Sequence, residues 1–371
     1  MINNGTFMAM QSIYCYPFPE TYAVMMEVQK KIDREMFKVT GDPKVVNKKL
    51  EGLFYEELKF PTTKMTFGEH DLVVGEETRE VVNPDGLSKL LMKKIRDKYS
   101  EIIYSLNGFN LDYPFAYTTM GSSPALFNIL AQLKTDGYKN INVLKGDYQG
   151  YKAYAESLKL EVAEYERLPA YEDKKSGVWF MSNPSAIDGN IIRQDWLNEM
   201  CARGNEFVFD LSYAGMTKPN VYFLHKNVKA VVFSMSKPYG LFRFRMGGFV
   251  FSREEIPSLF GNKWFNDTTR MLQAWKILEK FGFHKLYQKY RPIQEALVER
   301  VGEVFMFDMK PSDVFLMAYH VNEYSFQQEV TKMMKFFNRV GRTYRFCLTP
   351  YFEEMEKYKP KFSTLQYIDS L

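Results

Sequence analysis

Ser-Met-Ser-Lys-Pro-Tyr-Gly-Leu-Phe-Arg-Phe-Arg-Met-Gly, residues 234–247, is the stretch from which the rest of the chain can be read. Its one lysine, Lys237, follows an apolar run of Val228, Ala230, Val231, Val232 and Phe233 that has the character of a buried strand. Burial disfavours the charged form of a lysine, and the resulting neutral amine is a nucleophile that condenses with an aldehyde. Ser234, Ser236, Arg243 and Arg245 flank it, a hydroxyl and guanidinium set suited to a phosphate. Gly240 and Gly247 allow the backbone to turn tightly and to approach a ligand.

A Schiff-base lysine beside an anion site is the pairing that pyridoxal 5'-phosphate requires. The stretch resembles the lysine-site signature of the class I/II aminotransferases of fold type I, which are aspartate aminotransferase-like. In that signature two small residues separated by an apolar one precede the lysine. A glycine and an apolar residue follow, then an arginine and a glycine, here Arg245 and Gly247. The resemblance implies an α/β protein. A large domain with a mostly parallel central sheet would carry the cofactor, and a smaller α/β domain would be built from both termini. The corresponding boundaries are 1–66 for an N-terminal helical segment joining the small domain, 67–290 for the large domain and 291–371 for the C-terminal small domain.

Upstream of the lysine, an apolar strand at 207–209 delivers Asp210, then Leu-Ser-Tyr. A carboxylate at such a strand end is well placed for a ligand, because α/β sheets bind at the carboxyl ends of their strands. In the resembled family this aspartate pairs with the pyridine nitrogen, and the tyrosine three residues on, Tyr213, donates to the cofactor's phenolic oxygen. Further upstream, Ser-Asn-Pro-Ser-Ala-Ile-Asp-Gly (182–189) departs from the family text Asn-Pro-x-Asn-Pro-Thr-Gly. Aligned on Gly189, the second asparagine is Ala186. Either Asn183 takes over its contact through a shifted loop, or the phenolic oxygen loses a donor.

The strand at 141–144 ends in Gly-Asp-Tyr-Gln-Gly-Tyr. Tyr148 stands where the family places a ring against the pyridine, with Tyr151 as the second choice. A strand at 115–119 leads into Gly121-Ser122-Ser123 and a helix bearing Leu126, Ile129, Leu130 and Leu133. Backbone N–H groups, a hydroxyl and the positive helix end meet there, and the resemblance makes this the phosphate cup. Before it, strand and turn text around Gly68 corresponds to a loop facing the substrate, although a plain turn glycine reads the same way. Residues 21–37 and 45–58 have helical spacing, and this front section is expected to pack on the small domain or on a partner subunit.

Downstream, strand text at 249–251 precedes helices at about 266–281 and 283–305. Alternation at 314–321, an amphipathic helix at 325–340 and a strand at 344–350 follow. Arg345 sits among apolar residues in that last strand, and a guanidinium grips a carboxylate in a bidentate fork. The family holds the substrate α-carboxylate with such an arginine; Arg342 is the competing choice.

The whole chain fits this picture. Its 371 residues exceed the single-core limit of about 250 to 300, so two domains are expected. A net charge of +4 with no isolated basic block does not suggest nucleic acid. Cys15, Cys201 and Cys347 form neither a disulfide framework nor a metal pattern, so no metal is expected. No run of about 18 apolar residues occurs, and the chain is read as cytoplasmic, without a membrane partner.

The resemblance implies transamination between an L-amino acid and a 2-oxo acid through a Lys237 Schiff base, at the interface of a homodimer. Catalysis falls to Lys237, Asp210 and Tyr213. Cofactor binding adds Gly121, Ser122, Ser123, Tyr148, Asn183, Ser234, Ser236 and Arg245, and substrate binding adds Arg345 and Gly68. The altered text at Ala186 keeps β- or γ-elimination, decarboxylation or α-carbon oxidation on the same scaffold as the alternative. A ligand-sensing regulator is disfavoured, since the first 64 residues lack the basic character of a DNA-binding helix pair.

Overall fold

The computed structural model describes residues 16–37, 64–67, 70–73, 84–105, 111–169, 177–245, 247–264, 268–305, 308–321 and 335–352. The first elements are α1 (Pro19–Phe37), β1 (Lys64–Phe67), β2 (His70–Val73), α2 (Pro84–Ser100), β3 (Ile103–Ser105), β4 (Phe115–Thr119) and α3 (Ser122–Thr135). Next come β5 (Asn140–Leu144), α4 (Gly150–Ser157), β6 (Glu161–Tyr165), β7 (Val178–Ser182), α5 (Gln194–Ala202), β8 (Glu206–Leu211), β9 (Tyr222–Leu224) and β10 (Val228–Ser234). After the lysine follow β11 (Gly248–Ser252), α6 (Gly261–Trp264), α7 (Thr268–Phe281) and α8 (Lys285–Phe305). The chain closes with β12 (Lys310–Pro311), β13 (Met317–Val321), β14 (Asn338–Val340) and β15 (Thr343–Cys347).

Seven strands form the central sheet in the order β4-β11-β10-β8-β7-β5-β6. Only β11 runs against its neighbours; β10, β8, β7, β5 and β6 pair in parallel. Both faces are covered, and this explains the near-continuous apolar text of these strands. In β10, Val231 and Phe233 point into one core and Ala230 and Val232 into the other. Phe207 and Phe209 of β8 oppose Val208 in the same alternating way. The helix α3 lays Leu126, Ile129, Leu130 and Leu133 on one face of the sheet, while α2, α7 and α8 cover the other. A second sheet, β12-β13-β15-β14, is antiparallel throughout.

This topology brings the carboxyl ends of β5, β7, β8 and β10 to one edge, where the strand ends carry Ser182 and Asp210 and the loops after β5 and β10 carry Tyr148 and Lys237. The register sets Asp210 opposite Val232 of β10 on one side and Ser182 of β7 on the other.

Several expectations need correction. The helix read over 325–340 does not reach its end: Lys335–Phe337 is a 3-10 turn and 338–340 is the edge strand β14, paired with β15. Tertiary pairing overrides the helical spacing there. The helix α2 opens on Pro84, in the first turn, where its missing N–H is tolerated. Gly68 and the helix read at 45–58 lie outside the described residues. The front section packs through Tyr16 and Phe18 in an aromatic cluster with Tyr290, Phe315 and Phe352, while Gln273 of α7 donates to Gln29 of α1 at 3.0 Å. Thr21 Oγ1 also donates to the carbonyl of Tyr239, two residues after Lys237, at 2.7 Å.

Candidate active site

The lysine loop owes its shape to a close approach. Gly240 has φ +69°, and a Cβ there would overlap the carbonyl oxygen of Tyr16. Only glycine meets both demands, which ties the loop to the front section of the chain. Within the loop, Met235 N–H donates to the Gly247 carbonyl at 2.8 Å and Gly240 N–H to the Lys237 carbonyl at 3.3 Å. Lys237 emerges half-buried, with Nζ 4.7 Å from the centre of the Tyr213 ring.

Lys237 and Tyr213 open onto a cavity of about 420 Å³, to which Asp210, Tyr148, Ser122 and Ser123 also contribute. Asp210 is buried, and its two oxygens are held separately. Oδ1 accepts from Ser212 N–H at 3.0 Å and from Ser212 Oγ, and Oδ2 accepts from Tyr151 at 3.1 Å. Tyr151 therefore stands behind the carboxylate, and Tyr148 is the ring on the cavity. Its hydroxyl shares hydrogen bonds with Ser123 Oγ at 2.8 Å and Tyr154 at 3.2 Å. Burial is the main reason its phenol is pushed up to about 12.

Ser122 and Ser123 begin α3, and Gly121 before them takes φ +113° so that the strand can turn into the helix. Ser122 and Ser123 line the cavity, and the N–H groups of a first helical turn have no acceptors within their own helix. Gly248 supports the same turn from β11, because a Cβ there would overlap Thr119 Oγ1 and meet the Gly121 carbonyl. That role comes from tertiary approach and leaves no mark in the sequence.

On the far wall, Arg345 of β15 is 4% exposed and donates through Nη1 to the carbonyl of Ala186. Burial lowers its pKa. Arg342 sits exposed in the turn before the strand and does not line this cavity.

Four expected residues are placed elsewhere. Arg245 takes a left-handed conformation (φ 49°) after the 3-10 turn Phe242–Phe244 and is exposed. It borders a separate cavity of about 340 Å³ with Thr119, Gly247 and Arg270. Ser234 and Ser236 are buried and shape the loop, Ser236 N–H donating to Ser234 Oγ at 3.1 Å. Asn183 is also buried, its Oδ1 accepting from Ile192 N–H at 3.1 Å, and Ala186 reaches the cavity in its stead.

Three lining or supporting residues escaped the sequence reading: Asp147, Ser182 and Arg339. Asp147 accepts from Tyr148 N–H at 2.7 Å, Ser182 Oγ at 2.5 Å and Ser182 N–H at 3.1 Å, and Ser182 Oγ in turn accepts from Ala186 N–H at 2.7 Å. One carboxylate thus fixes both the Tyr148 wall and the loop that meets Arg345. Burial pushes Asp147 up to about 6. Because its folded pKa lies above the unfolded one, the folded state holds its proton more tightly, and this contribution to stability is lost as pH rises from about 4 through 6. Asp147→Asn is expected to flatten the loss of stability over that interval, by on the order of 2–3 kcal/mol, in urea titrations at successive pH values.

The family model for aminotransferase class I and II matches residues 75–280, more than half of the chain. The chain belongs to this family. Among solved structures, an aspartate aminotransferase double mutant from Thermus thermophilus matches with a TM-score of 0.53 at 14% identity, covering 91% of this chain and 99% of that one. An aminotransferase from Mycobacterium tuberculosis gives 0.53 at 15% identity, with coverage of 91% and 96%. L-threonine-O-3-phosphate decarboxylase from Porphyromonas gingivalis gives 0.52 at 15% identity, with coverage of 77% and 92%. At these identities the likeness is one of fold, here fold type I. No curated protein matches in a sequence search.

Enzymes of this family use pyridoxal phosphate, and the cavity fits that group. It offers an amine at Lys237, an anchored carboxylate at Asp210, an aromatic face at Tyr148 and an anion cup at the start of α3. No helix among the described residues is long and apolar enough to cross a membrane.

Proposed function

We propose that the protein is an aminotransferase moving an amino group between an L-amino acid and a 2-oxo acid. The observation that carries this reading is the single cavity that unites Lys237, Asp210 and the buried Arg345. When bound, pyridoxal phosphate supplies an electron sink for the charge left on a substrate α-carbon after proton loss.

In this reading the chain's own groups divide the work. Lys237 Nζ would hold the cofactor and would carry the substrate Cα proton away and return it. Asp210 would pair with the cofactor's ring nitrogen, with Tyr151 and Ser212 fixing its two oxygens. Tyr213 would donate its hydroxyl to the cofactor's phenolic oxygen, and Tyr148 would supply an aromatic face for its ring. Ser122, Ser123 and the N–H groups of α3 take the phosphate. Arg345 takes the substrate α-carboxylate; its contact with the Ala186 carbonyl holds the guanidinium in place beforehand. The reading includes a division into large and small domains at about 290 and a cytoplasmic homodimer, the latter measurable by light scattering.

Ala186 favours one second reading, another reaction on the same scaffold, because it offers no side-chain donor where the family has an asparagine. A half-reaction separates the two. The loaded protein is mixed with single amino acids without an acceptor. Transamination gives one equivalent of 2-oxo acid per site and bleaches the visible cofactor band, which a 2-oxo acid then restores. Release of ammonia or carbon dioxide over many turnovers would replace the proposal with the second reading.

A further inference from the structure

Tyr148 carries a hydroxyl that a stacking face does not need. It lies 2.8 Å from Ser123 Oγ and 3.2 Å from the Tyr154 hydroxyl, so three oxygens form a chain from the first turn of α3 to a residue of α4 behind the cavity wall. The chain is held from several sides. Asp147 accepts from Tyr148 N–H at 2.7 Å. A Cβ on Gly150 would overlap the Tyr148 ring, so α4 can begin this close to the phenol only on a glycine. Phe127, one turn after Ser123 on α3, meets the Tyr154 ring edge-on at 5.7 Å and so fixes the outer phenol.

Each hydroxyl has one proton and can also accept, so the chain can run in two directions. Outward, Ser123 donates to Tyr148 and Tyr148 to Tyr154, and the Ser123 lone pairs are left for the cavity. Inward, Tyr154 donates to Tyr148 and Tyr148 to Ser123, and the Ser123 proton is left for the cavity. At pH 8 a phosphate ester, whose second pKa is about 6, has acceptor oxygens only, and it selects the inward direction. Burial is the main reason the Tyr148 phenol is pushed up to about 12, so its proton is retained at that pH. Hydrogen bonds in a chain polarise one another, and two phenols behind Ser123 make it a better donor than a lone serine.

We propose that Tyr148 and Tyr154 are positioning residues for the cofactor phosphate, their hydroxyls forming a relay that turns the Ser123 proton into the cup. This rests on the reading that places the phosphate at Ser122 and Ser123, and it is independent of the reaction assigned. The aromatic wall and the phosphate cup are then one unit. Tyr148 meets the ring with its face and the phosphate through its hydroxyl.

The test uses the full-length protein without cofactor at pH 8 and two probes, pyridoxamine 5'-phosphate and pyridoxamine. They share a ring, cannot condense with Lys237 and differ in the phosphate alone. Calorimetric titration gives the ratio of their dissociation constants, which is the phosphate preference. Ser123→Ala is expected to lower that preference by about 10-fold or more, as for a hydrogen bond to a charged group. Tyr148→Phe keeps the aromatic face and is expected to lower it about 5-fold, and Tyr154→Phe about 3-fold, with pyridoxamine binding little changed in either. In a Ser123→Ala background both tyrosine changes should have no further effect on the preference, because the relay acts only through that serine. Equal losses for the two probes in Tyr148→Phe would make the hydroxyl part of the ring wall alone and overturn the proposal. So would tyrosine effects that persist in full without the Ser123 hydroxyl.

Failure of the readings beneath it looks different. A wild-type phosphate preference near one removes the phosphate from α3, and the relay falls with it. If the coupling to Ser123 is found while the half-reaction yields no 2-oxo acid from any amino acid, the relay stands and the aminotransferase reading falls.

Discussion

Lys237→Ala is expected to bind pyridoxal phosphate without developing the visible band of the loaded protein, and to lose at least about 10⁴-fold in half-reaction rate. The size follows from two losses at one atom. Nζ is proposed both as the anchoring nucleophile and as the group that carries the Cα proton. No other amine lines the cavity, so the described residues offer no substitute. Folding should be nearly unaffected. Lys237 is only half-buried, and the loop is held by backbone bonds and by Gly240 packing on Tyr16, none of which involve the lysine side chain. Lys237→Arg is the informative control, since it keeps a cation near the Tyr213 ring but cannot condense with the cofactor. The test reads absorption, rate and melting temperature together. A band that survives in either variant would remove Lys237 from the role given to it.

Some of this site was visible in the amino-acid text for a simple physical reason. Lys237 and Asp210 each end an apolar run, and a charge in that place is costly unless the edge of the sheet uses it. Asp147 gives the same signal, three residues after the end of β5, and could have been found by the same reasoning. Arg339 could not. The spacing of 325–340 is helical, and only the pairing of β14 with β15 places its guanidinium beside Arg345. Arg245 shows the opposite failure. Its spacing from the lysine matches the family, yet a 3-10 turn and one left-handed residue send the side chain to a neighbouring cavity. Spacing along the chain fixes a backbone position; local dihedrals fix where the side chain goes. The parallel sheet was expected from the resemblance, and its strands, buried on both faces, carry the near-continuous apolar text that such burial requires.

Asp210→Asn separates charge from shape at the other end of the cofactor pocket. An asparagine can keep its Oδ1 on the Ser212 N–H and hydroxyl, while its amide takes the place of Oδ2 and donates to the Tyr151 hydroxyl. Every present contact then retains a partner, so the melting temperature should change little. Alanine would be a poorer probe, because it would leave the buried Tyr151 hydroxyl unsatisfied and add a stability loss of about 1–3 kcal/mol. What the asparagine lacks is the negative charge proposed to keep the ring nitrogen protonated. The expected result is a half-reaction slower by on the order of 10³-fold, with Lys237 still forming the visible band. A second readout follows from Asp147, whose pKa Asp210 helps to raise. Removing that charge should shift the pH-dependent loss of stability toward lower pH. Near wild-type rates in Asp210→Asn would mean that the carboxylate serves only as a structural acceptor for Tyr151 and Ser212. Slow turnover with an unshifted stability profile would instead leave the catalytic role in place and remove the electrostatic link between the two buried carboxylates.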